Sequence, residues 1–218
     1  MAEAAVLRVR HCRAAIFCRR APPRCPLCGL GLRRAGLLAA PLRLPSPFRH
    51  GHRQPPAFLL RPSSGSFLGG YDGKSDLHVG ISNSNGVVYH YNQEGIHRSE
   101  TGWEQCISVP LVQPDMFGLL QQWDKLLEEF SVGEAWLPHR YEEHEHNCYT
   151  YALAFINSVR TAQGKQPIRK SEFTEKFVIP QTRRASKYIT LHQELTANEF
   201  YIVPLPEQEN SAENELLY

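Results

Sequence analysis

Cys148 is the residue of this sequence best placed for nucleophilic chemistry. It lies in HNCYTYALAFIN (146–157), where a polar loop turns into an apolar run with helical spacing. Asn147 is a good N-cap, so the pattern predicts a helix over 148–160 with the cysteine in its first turn. Unpaired backbone N–H groups and the helix dipole favour a thiolate there, so we expect the pKa of the thiol to fall. A thiolate of this kind attacks ester, thioester or isopeptide carbonyls.

Such a thiolate needs an imidazole within hydrogen-bond reach, and two histidines are candidates. His78 and His90 lie on the two strands of a predicted hairpin, 76–82 and 86–91, with Asn-Gly at the turn. If the Ser-Asn-Gly stretch forms a three-residue loop, both imidazoles share one face; a two-residue loop places them on opposite faces. His78 would then be the general base, and His90 would orient it. The alternative is that both are ordinary strand residues.

A second group of chemically capable residues lies in HCRAAIFCRRAPPRCPLC (11–28). The Cys-x-x-Cys knuckle at 25–28 supplies half of a tetrahedral zinc site. The other half is either His11 with Cys12 or Cys12 with Cys18. Adjacent ligands are geometrically awkward, so the sequence favours the set with four thiolates. The expected metal ligands are therefore Cys12, Cys18, Cys25 and Cys28, with zinc in this segment and no cofactor in the main domain. The alternative is a set of free thiols.

Folded elements have to position these residues, and the sequence predicts four parts. Residues 1–35 form a flexible Arg- and Pro-rich head with the cysteine cluster, 36–57 a Pro-rich linker, 58–205 the main domain, and 206–218 a disordered acidic tail. Besides the hairpin, the patterns predict strands at 105–112, 176–180 and 200–204, and helices over 114–130, over 148–160 and after Thr182. This order indicates an α+β domain with a largely antiparallel sheet and packed helices.

Charge and cysteine content restrict the classes of function. Residues 1–62 carry twelve Arg and one acid, while the rest of the chain holds twelve basic residues against twenty-one acids, a balance of −9. The basic head lacks the interleaved aromatic residues of a nucleic-acid reader, so the sequence argues against nucleic acid as a partner. We expect no membrane span and no secretory signal, and hence reduced thiols in the cytoplasm, the nucleus or both.

Two stretches carry a resemblance to known proteins. HVGISNSNGVVYH, followed much later by HNCYTYALAFIN, resembles the circularly permuted papain-like thiol hydrolases, over roughly residues 70 to 160. That group includes relatives of lecithin:retinol acyltransferase, phospholipid acyltransferases and desumoylating isopeptidases. The resemblance implies a permuted papain-like fold with Cys148 as nucleophile, His78 as general base and His90 as third polar member. Tyr149 departs from the pattern, because many relatives carry Glu or Asn after the cysteine.

The resemblance leaves two functions open. One is a cysteine-dependent hydrolase or acyltransferase acting on a protein or acyl substrate. The other is a catalytically silent papain-like domain that serves as a protein-interaction module. Over most of residues 58–195 the chain also resembles the makorin opposite-strand family of vertebrates, through segments such as YDGKSDLHVGI and WLPHRYEEHEHNCYTYAL. That family name implies no activity.

Overall fold

The computed structural model describes residues 5–32, 37, 39–113 and 115–206 of the chain. These residues fall into two compact units. The first unit takes the described residues of 1–47 and 186–218, and the second unit is 48–185. Each unit has its own antiparallel sheet.

The first unit is built on a four-stranded sheet in the order β3-β1-β2-β9. Its strands are β1 (Val6–His11), β2 (Ala14–Cys18), β3 (Ala39–Leu44) and β9 (Phe200–Pro204). All the pairings are antiparallel. A small apolar cluster packs on the sheet and consists of Val9, Ile16, Cys18, Cys25 and Leu32.

The second unit is built on a five-stranded sheet in the order β7-β6-β5-β4-β8. Its strands are β4 (Ala57–Pro62), β5 (Leu77–Ser82), β6 (Val88–Asn92), β7 (Gly95–Ser99) and β8 (Ile107–Pro110). They are rich in β-branched and aromatic residues, and most of their apolar side chains are buried, as expected for strands packed on both faces.

The helices follow the sheet of the second unit along the chain. They are α1 (Phe117–Ser131), α2 (Cys148–Ala162), α3 (Lys170–Phe173) and α4 (Ile179–Ala197), with a π-helical turn at Thr174–Val178. Trp123 of α1 packs edge-on against Phe155 of α2, with ring centroids 5.0 Å apart. The boundary between the two units falls within α4.

The two faces of the second sheet are covered differently. Phe58 of β4 pairs with Ile81 of β5, and its ring contacts Tyr149 of α2, so the helices lie on this face. On the other face Trp103 packs over Gly80, where an added Cβ would come within 3.0 Å of the indole. This division decides which side chains of β5 can meet α2.

The observed architecture confirms the α+β class and several predicted elements. The hairpin is β5-β6, the strand at 105–112 is β8, and the helices over 114–130 and 148–160 are α1 and α2. The helix α1 begins at Phe117, so Asp115 precedes it, and Pro114 lies outside the described residues. The stretch 200–204 is a strand, but it pairs with β2 in the first unit.

The structure corrects the predicted division of the chain. The segment 36–57, predicted as a linker, contains β3, and the predicted head of 1–35 contributes β1 and β2 to an ordered sheet. β1 and β2 pair with each other, but β3 and β9 complete the sheet from distant parts of the chain, and the local pattern does not show these pairings. The predicted disordered tail lies outside the described residues, except for Pro206.

One predicted strand is a helix. The sequence predicts an extended stretch at 176–180, but these residues span the π-helical turn and the start of α4. A short apolar run does not distinguish a buried strand from a buried helical segment. Here Phe173 and Val178 are buried, and Phe173 packs against Phe58 at a centroid distance of 5.1 Å. Tertiary packing therefore overrides the β-branched composition.

Within the described part of the chain, none of the helices is long and apolar enough to cross a bilayer.

Candidate metal centre and predicted thiol site

A tight hairpin turn places the first two candidate ligands. His11 ends β1 and pairs with Ala14 of β2, so Cys12 and Arg13 form a two-residue turn. Both turn residues have positive φ, 51° and 54°, which is the backbone of a type I′ turn. Neither is a glycine, so each carries strain of about 1–3 kcal/mol. The turn brings the Cys12 sulfur to within 3.0 Å of Nδ1 of the neighbouring His11.

A knuckle supplies the other two ligands. The N–H of Leu27 donates to the sulfur of Cys25 at 3.4 Å. The N–H of Gly29 donates to the carbonyl of Cys25 at 2.9 Å, and Gly29 adopts a left-handed φ of 75°. The N–H of Cys25 donates in turn to the carbonyl of Leu30 at 2.8 Å. These bonds fold the chain tightly enough to aim the sulfurs of Cys25 and Cys28 in one direction.

The hairpin turn and the knuckle converge on one point. One ligand atom from each of the four residues lies within 4.8 Å of every other. Cys25 and Cys12 have their sulfurs 3.9 Å apart, and the sulfur of Cys28 lies 3.7 Å from Nδ1 of His11. A tetrahedral zinc ion with Zn–S bonds of about 2.3 Å and a Zn–N bond of about 2.0 Å separates its ligand atoms by about 3.3–3.8 Å. The distances here run from 3.0 Å, between the Cys12 sulfur and Nδ1 of His11, to at most 4.8 Å, so these four residues could hold a metal ion.

The electrostatics of the cluster favour a bound cation. Burial acts to raise the pKa of the Cys25 thiol, but the N–H groups of Cys28 and Leu27 outweigh it and hold that pKa at about 7. The pKa of Cys12 is raised to about 12, first by its contact with Cys28 and then by burial and by Cys25. A second thiolate is therefore costly beside the first, and a cation between the sulfurs would remove that cost.

The cluster in the structure differs from the predicted ligand set at a single position. The sequence favours Cys18 as a ligand, but this residue lies at the far end of β2 from the turn, about 13 Å along the strand. It is fully buried in the apolar cluster, and burial raises the pKa of its thiol. His11 takes its place, because the positive φ of Cys12 turns two adjacent side chains to one side. In the sequence, one feature indicates that His11 joins the cluster: two residues separate it from Ala14, which fits a hairpin turn.

The two predicted histidines do come together. The N–H of Asn83 donates to the carbonyl of Val87, which leaves a three-residue loop between them, and Gly86 has a φ of 83°. An added Cβ at Gly86 would lie 2.1 Å from a backbone oxygen, so only glycine fits. His78 and His90 consequently share a face, with Nε2 of the first 2.9 Å from Nδ1 of the second. Of the two loop lengths that the sequence leaves open, the three-residue loop is the one present.

His90 is buried and His78 is half-buried, and both favour the neutral form. Nε2 of His90 lies 2.9 Å from Oγ of Ser99, which completes a chain of three polar groups. Both rings also contact Trp103, at centroid distances of 5.9 and 5.4 Å. Burial is the main cause that lowers the pKa of His78 to about 4 and that of His90 to about 3. Arg61, whose guanidinium lies over Trp103, lowers both pKa values further.

Cys148 occupies the predicted position at the start of α2. Asn147 caps the helix, and its side-chain oxygen accepts from the N–H groups of Tyr149 at 3.0 Å and Thr150 at 3.2 Å. The sulfur of Cys148 accepts from the N–H groups of Val79 and Tyr149, which lower the pKa of the thiol. Burial is the larger effect, however, and the net pKa is raised. The expected fall in pKa is therefore wrong in direction, because Cys148 is only 9% exposed.

The structure does not bring Cys148 to the histidines. The helix approaches β5 on the face of Ile81, whereas His78 points to the opposite face with Trp103. Alternation along a strand enforces this, because Val79 and Ile81 occupy one face and His78 the other. Among the hydrogen bonds of the described residues, none joins Cys148 to His78. The expected general-base contact is thus not present in this geometry.

The fold and the cluster together define a class of protein. It is an α+β protein with two antiparallel sheets and a candidate structural metal centre of His11, Cys12, Cys25 and Cys28 at the turn of its first hairpin.

The chain belongs to the DUF4796 family. Residues 41–195 match the family model DUF4796 C-terminal, and residues 4–32 match DUF4796 N-terminal. The MKRN2 opposite strand protein of Homo sapiens is 51% identical over 205 residues, which cover 94% of this chain and 92% of the human protein. The resemblance to the makorin opposite-strand family is therefore confirmed. All four candidate metal ligands lie within the N-terminal match.

No solved structure matches the chain. The permuted papain-like arrangement implied by the two short motifs consequently stays a prediction.

Proposed function

We propose that this chain is a zinc-stapled interaction protein, in which His11, Cys12, Cys25 and Cys28 hold a structural Zn²⁺ ion. The observation that carries the proposal is the convergence of four ligand atoms, all within 4.8 Å of one another, from two separate turns. Three thiolates and an imidazole are the donors that Zn²⁺ prefers in structural sites. Four protein ligands close the coordination sphere, so the ion has a structural rather than a catalytic role.

A structural metal ion would stabilise the first unit. Its apolar cluster has five buried residues with Leu7, Leu37, Phe200 and Ile202 packed against them, and a core of this size gains stability from a metal ion. The type I′ turn also places two consecutive non-glycine residues, Cys12 and Arg13, in the left-handed region. Non-glycine residues with positive φ are kept where the surrounding structure holds them for a function. Metal ligation by Cys12 would be such a function. The ion would fix the hairpin turn to the knuckle and hold both as one rigid surface.

Cysteine-dependent hydrolysis has less support in this geometry. The thiol of Cys148 is buried with a raised pKa, whereas a nucleophilic thiol needs a lowered one. His78 and His90 are occupied with each other, and their lowered pKa values make them weak bases. An interaction role, which needs neither a thiolate nor a base, is consistent with these features.

Metal analysis of the purified full-length chain tests the proposal. We expect about one tightly bound zinc ion per chain after dialysis against a weak chelator. Cys25→Ser and His11→Ala should each lose most of it, since each removes one ligand of four. Cys106→Ala is the matched control, because that thiol is buried in the second unit and donates to the carbonyl of Trp103 at 3.0 Å.

Two results would overturn the zinc proposal. One is wild-type protein without zinc when it is purified from zinc-supplemented cells. The other is equal zinc content in Cys25→Ser and Cys106→Ala, which would place the ion elsewhere.

A further inference from the structure

The metal cluster lies at the end of the first hairpin, and the surface around it is both apolar and basic. We name this surface the tip; it consists of the turn residues 12–13 and the knuckle residues 24–31. Leu27 is 50% exposed and Leu30 is 58% exposed, so one loop presents two large apolar side chains to solvent. An added Cβ at Gly29, between them, would meet no atom within 4 Å. The two leucines therefore stand on an open, protruding loop.

Arginines supply the charge of the segment that carries the two leucines. Residues 5–32 contain six arginines and no acid. Arg13 is exposed in the hairpin turn, beside the ligand Cys12. Arg24 is exposed at the start of the knuckle, and its guanidinium donates to the carbonyl of Gly29 at 3.4 Å. Cationic side chains thus flank the exposed leucines from both turns.

This combination fits the interface of an anionic membrane. A protruding apolar pair inserts among the lipid headgroups and acyl chains, while neighbouring arginines bind the negative surface. An acidic peptide would satisfy the arginines, but recognition of its apolar side chains requires a groove. The open space around Gly29 and Gly31 offers a convex loop instead, since an added Cβ at Gly31 would meet only the carbonyl oxygen of Pro23, at 3.9 Å.

We infer that the tip is a peripheral membrane-binding site that inserts Leu27 and Leu30 into the interface of bilayers containing anionic phospholipids. The inference rests on the proposed zinc site, because the ion would lock the knuckle and the turn into one rigid tip. Rigidity matters, since a loop ordered before binding loses less conformational entropy when it inserts.

Vesicle co-sedimentation of the full-length, zinc-loaded chain tests this site. The probes are vesicles of phosphatidylcholine alone and of phosphatidylcholine mixed with phosphatidylserine. We expect binding to the mixed vesicles that is roughly tenfold stronger than to phosphatidylcholine alone, and that weakens with added salt. The double variant Leu27→Ser/Leu30→Ser should lose roughly tenfold in affinity for the mixed vesicles. Leu42→Ser is the matched control, because Leu42 is an exposed leucine of β3 in the same unit and outside the tip.

Zinc content, measured on every sample, separates the two proposals. A chain that holds zinc but does not sediment with mixed vesicles overturns the membrane site and leaves the zinc site standing. Unchanged vesicle binding by the double leucine variant also overturns it. A third result would also overturn the membrane site: soluble polyglutamate displaces the wild type and the double leucine variant from vesicles equally well. The partner would then be an acidic polypeptide.

Discussion

The two cysteine-and-histidine groups of this chain look equally capable of chemistry in the sequence, yet they differ in the fold. In the first unit the donors of His11, Cys12, Cys25 and Cys28 converge within 4.8 Å. In the second unit His78 and His90 meet each other, but Cys148 approaches the strand from the opposite face. The first group therefore has the geometry of a site, and the second has that of a packed core.

Local turns and strand alternation explain the difference. The ligands of the first group sit in two tight turns, each closed by backbone hydrogen bonds within a few residues. The second group depends on which face of β5 meets α2, and a shift of one residue would reverse that face. Convergence of side chains that are distant in sequence is consequently much harder to infer than convergence within a turn.

Removal of zinc is expected to have the largest effect and to act on the first unit alone. Cys25→Ser, or chelation of the wild type, should destabilise that unit by an amount on the order of 5 kcal/mol, because the ion replaces much of a small core. Hydrogen exchange measures this by region. Amides of β1 and β2 should lose protection, while those of β5 keep it.

The control for this experiment is Cys106→Ala with zinc bound. Equal loss of protection in β2 and β5 after chelation would contradict the separate roles of the two groups.

Acidification should act on the second unit, with an intermediate effect. The pKa values of His78 and His90, about 4 and about 3, lie below the ~6.5 of an imidazole in the unfolded chain. The unfolded chain then binds more protons below about pH 6.5, so the free energy of unfolding falls as the pH falls through this window. We expect a loss of about 2 kcal/mol for each histidine, or about 4 kcal/mol for the pair, between pH 7 and pH 5.

Urea denaturation followed by tryptophan fluorescence measures this loss, because all three tryptophans lie in the second unit. His78→Gln/His90→Gln should flatten the dependence on pH, whereas His139→Gln, at an exposed histidine, should leave it unchanged. Identical slopes in wild type and in the double variant would show that the pair is not buried as described.

A smaller effect is expected at the N-cap of α2. Asn147→Ala removes the acceptor for the N–H groups of Tyr149 and Thr150 and should cost about 1 kcal/mol in the same denaturation experiment. Asn147→Asp retains a capping oxygen and should lose less than half of that. A larger loss in Asn147→Asp than in Asn147→Ala would contradict the capping role.

The smallest effect is expected for Cys148 reactivity. Its alkylation by iodoacetamide should be slow at neutral pH, as for the buried Cys106, because burial raises the pKa of both thiols. His78→Ala should change the rate at Cys148 by less than about twofold, since the two side chains lie on opposite faces. Fast alkylation with a low apparent pKa that disappears in His78→Ala would restore the hydrolase hypothesis.

The sequence predicts the parts of this molecule that local chemistry determines. Asn147 as N-cap and the helices over 114–130 and 148–160 follow from short-range patterns and are confirmed, and the hairpin loop is the three-residue alternative with Gly86 in the left-handed region. Strands β1 and β3 are not predicted, because the turn residues Cys-Arg give no hairpin signal and β3 pairs with β1 far back along the chain.

The candidate sites divide in the same way. The spacing of Cys25 and Cys28 predicts the knuckle, but the sequence does not predict the fourth candidate ligand. The choice between His11 and Cys18 depends on the positive φ of Cys12, a conformation that the residue types Cys-Arg do not indicate. The raised pKa of Cys148 likewise depends on the burial of α2, which no local pattern reveals.

X-ray absorption at the zinc edge of the full-length protein tests the central claim most directly. We predict a four-coordinate ion with three sulfur ligands at about 2.3 Å and one imidazole nitrogen at about 2.0 Å, and loss of the nitrogen shell in His11→Cys. A spectrum with only nitrogen and oxygen ligands, or with four sulfurs in the wild type, would contradict it.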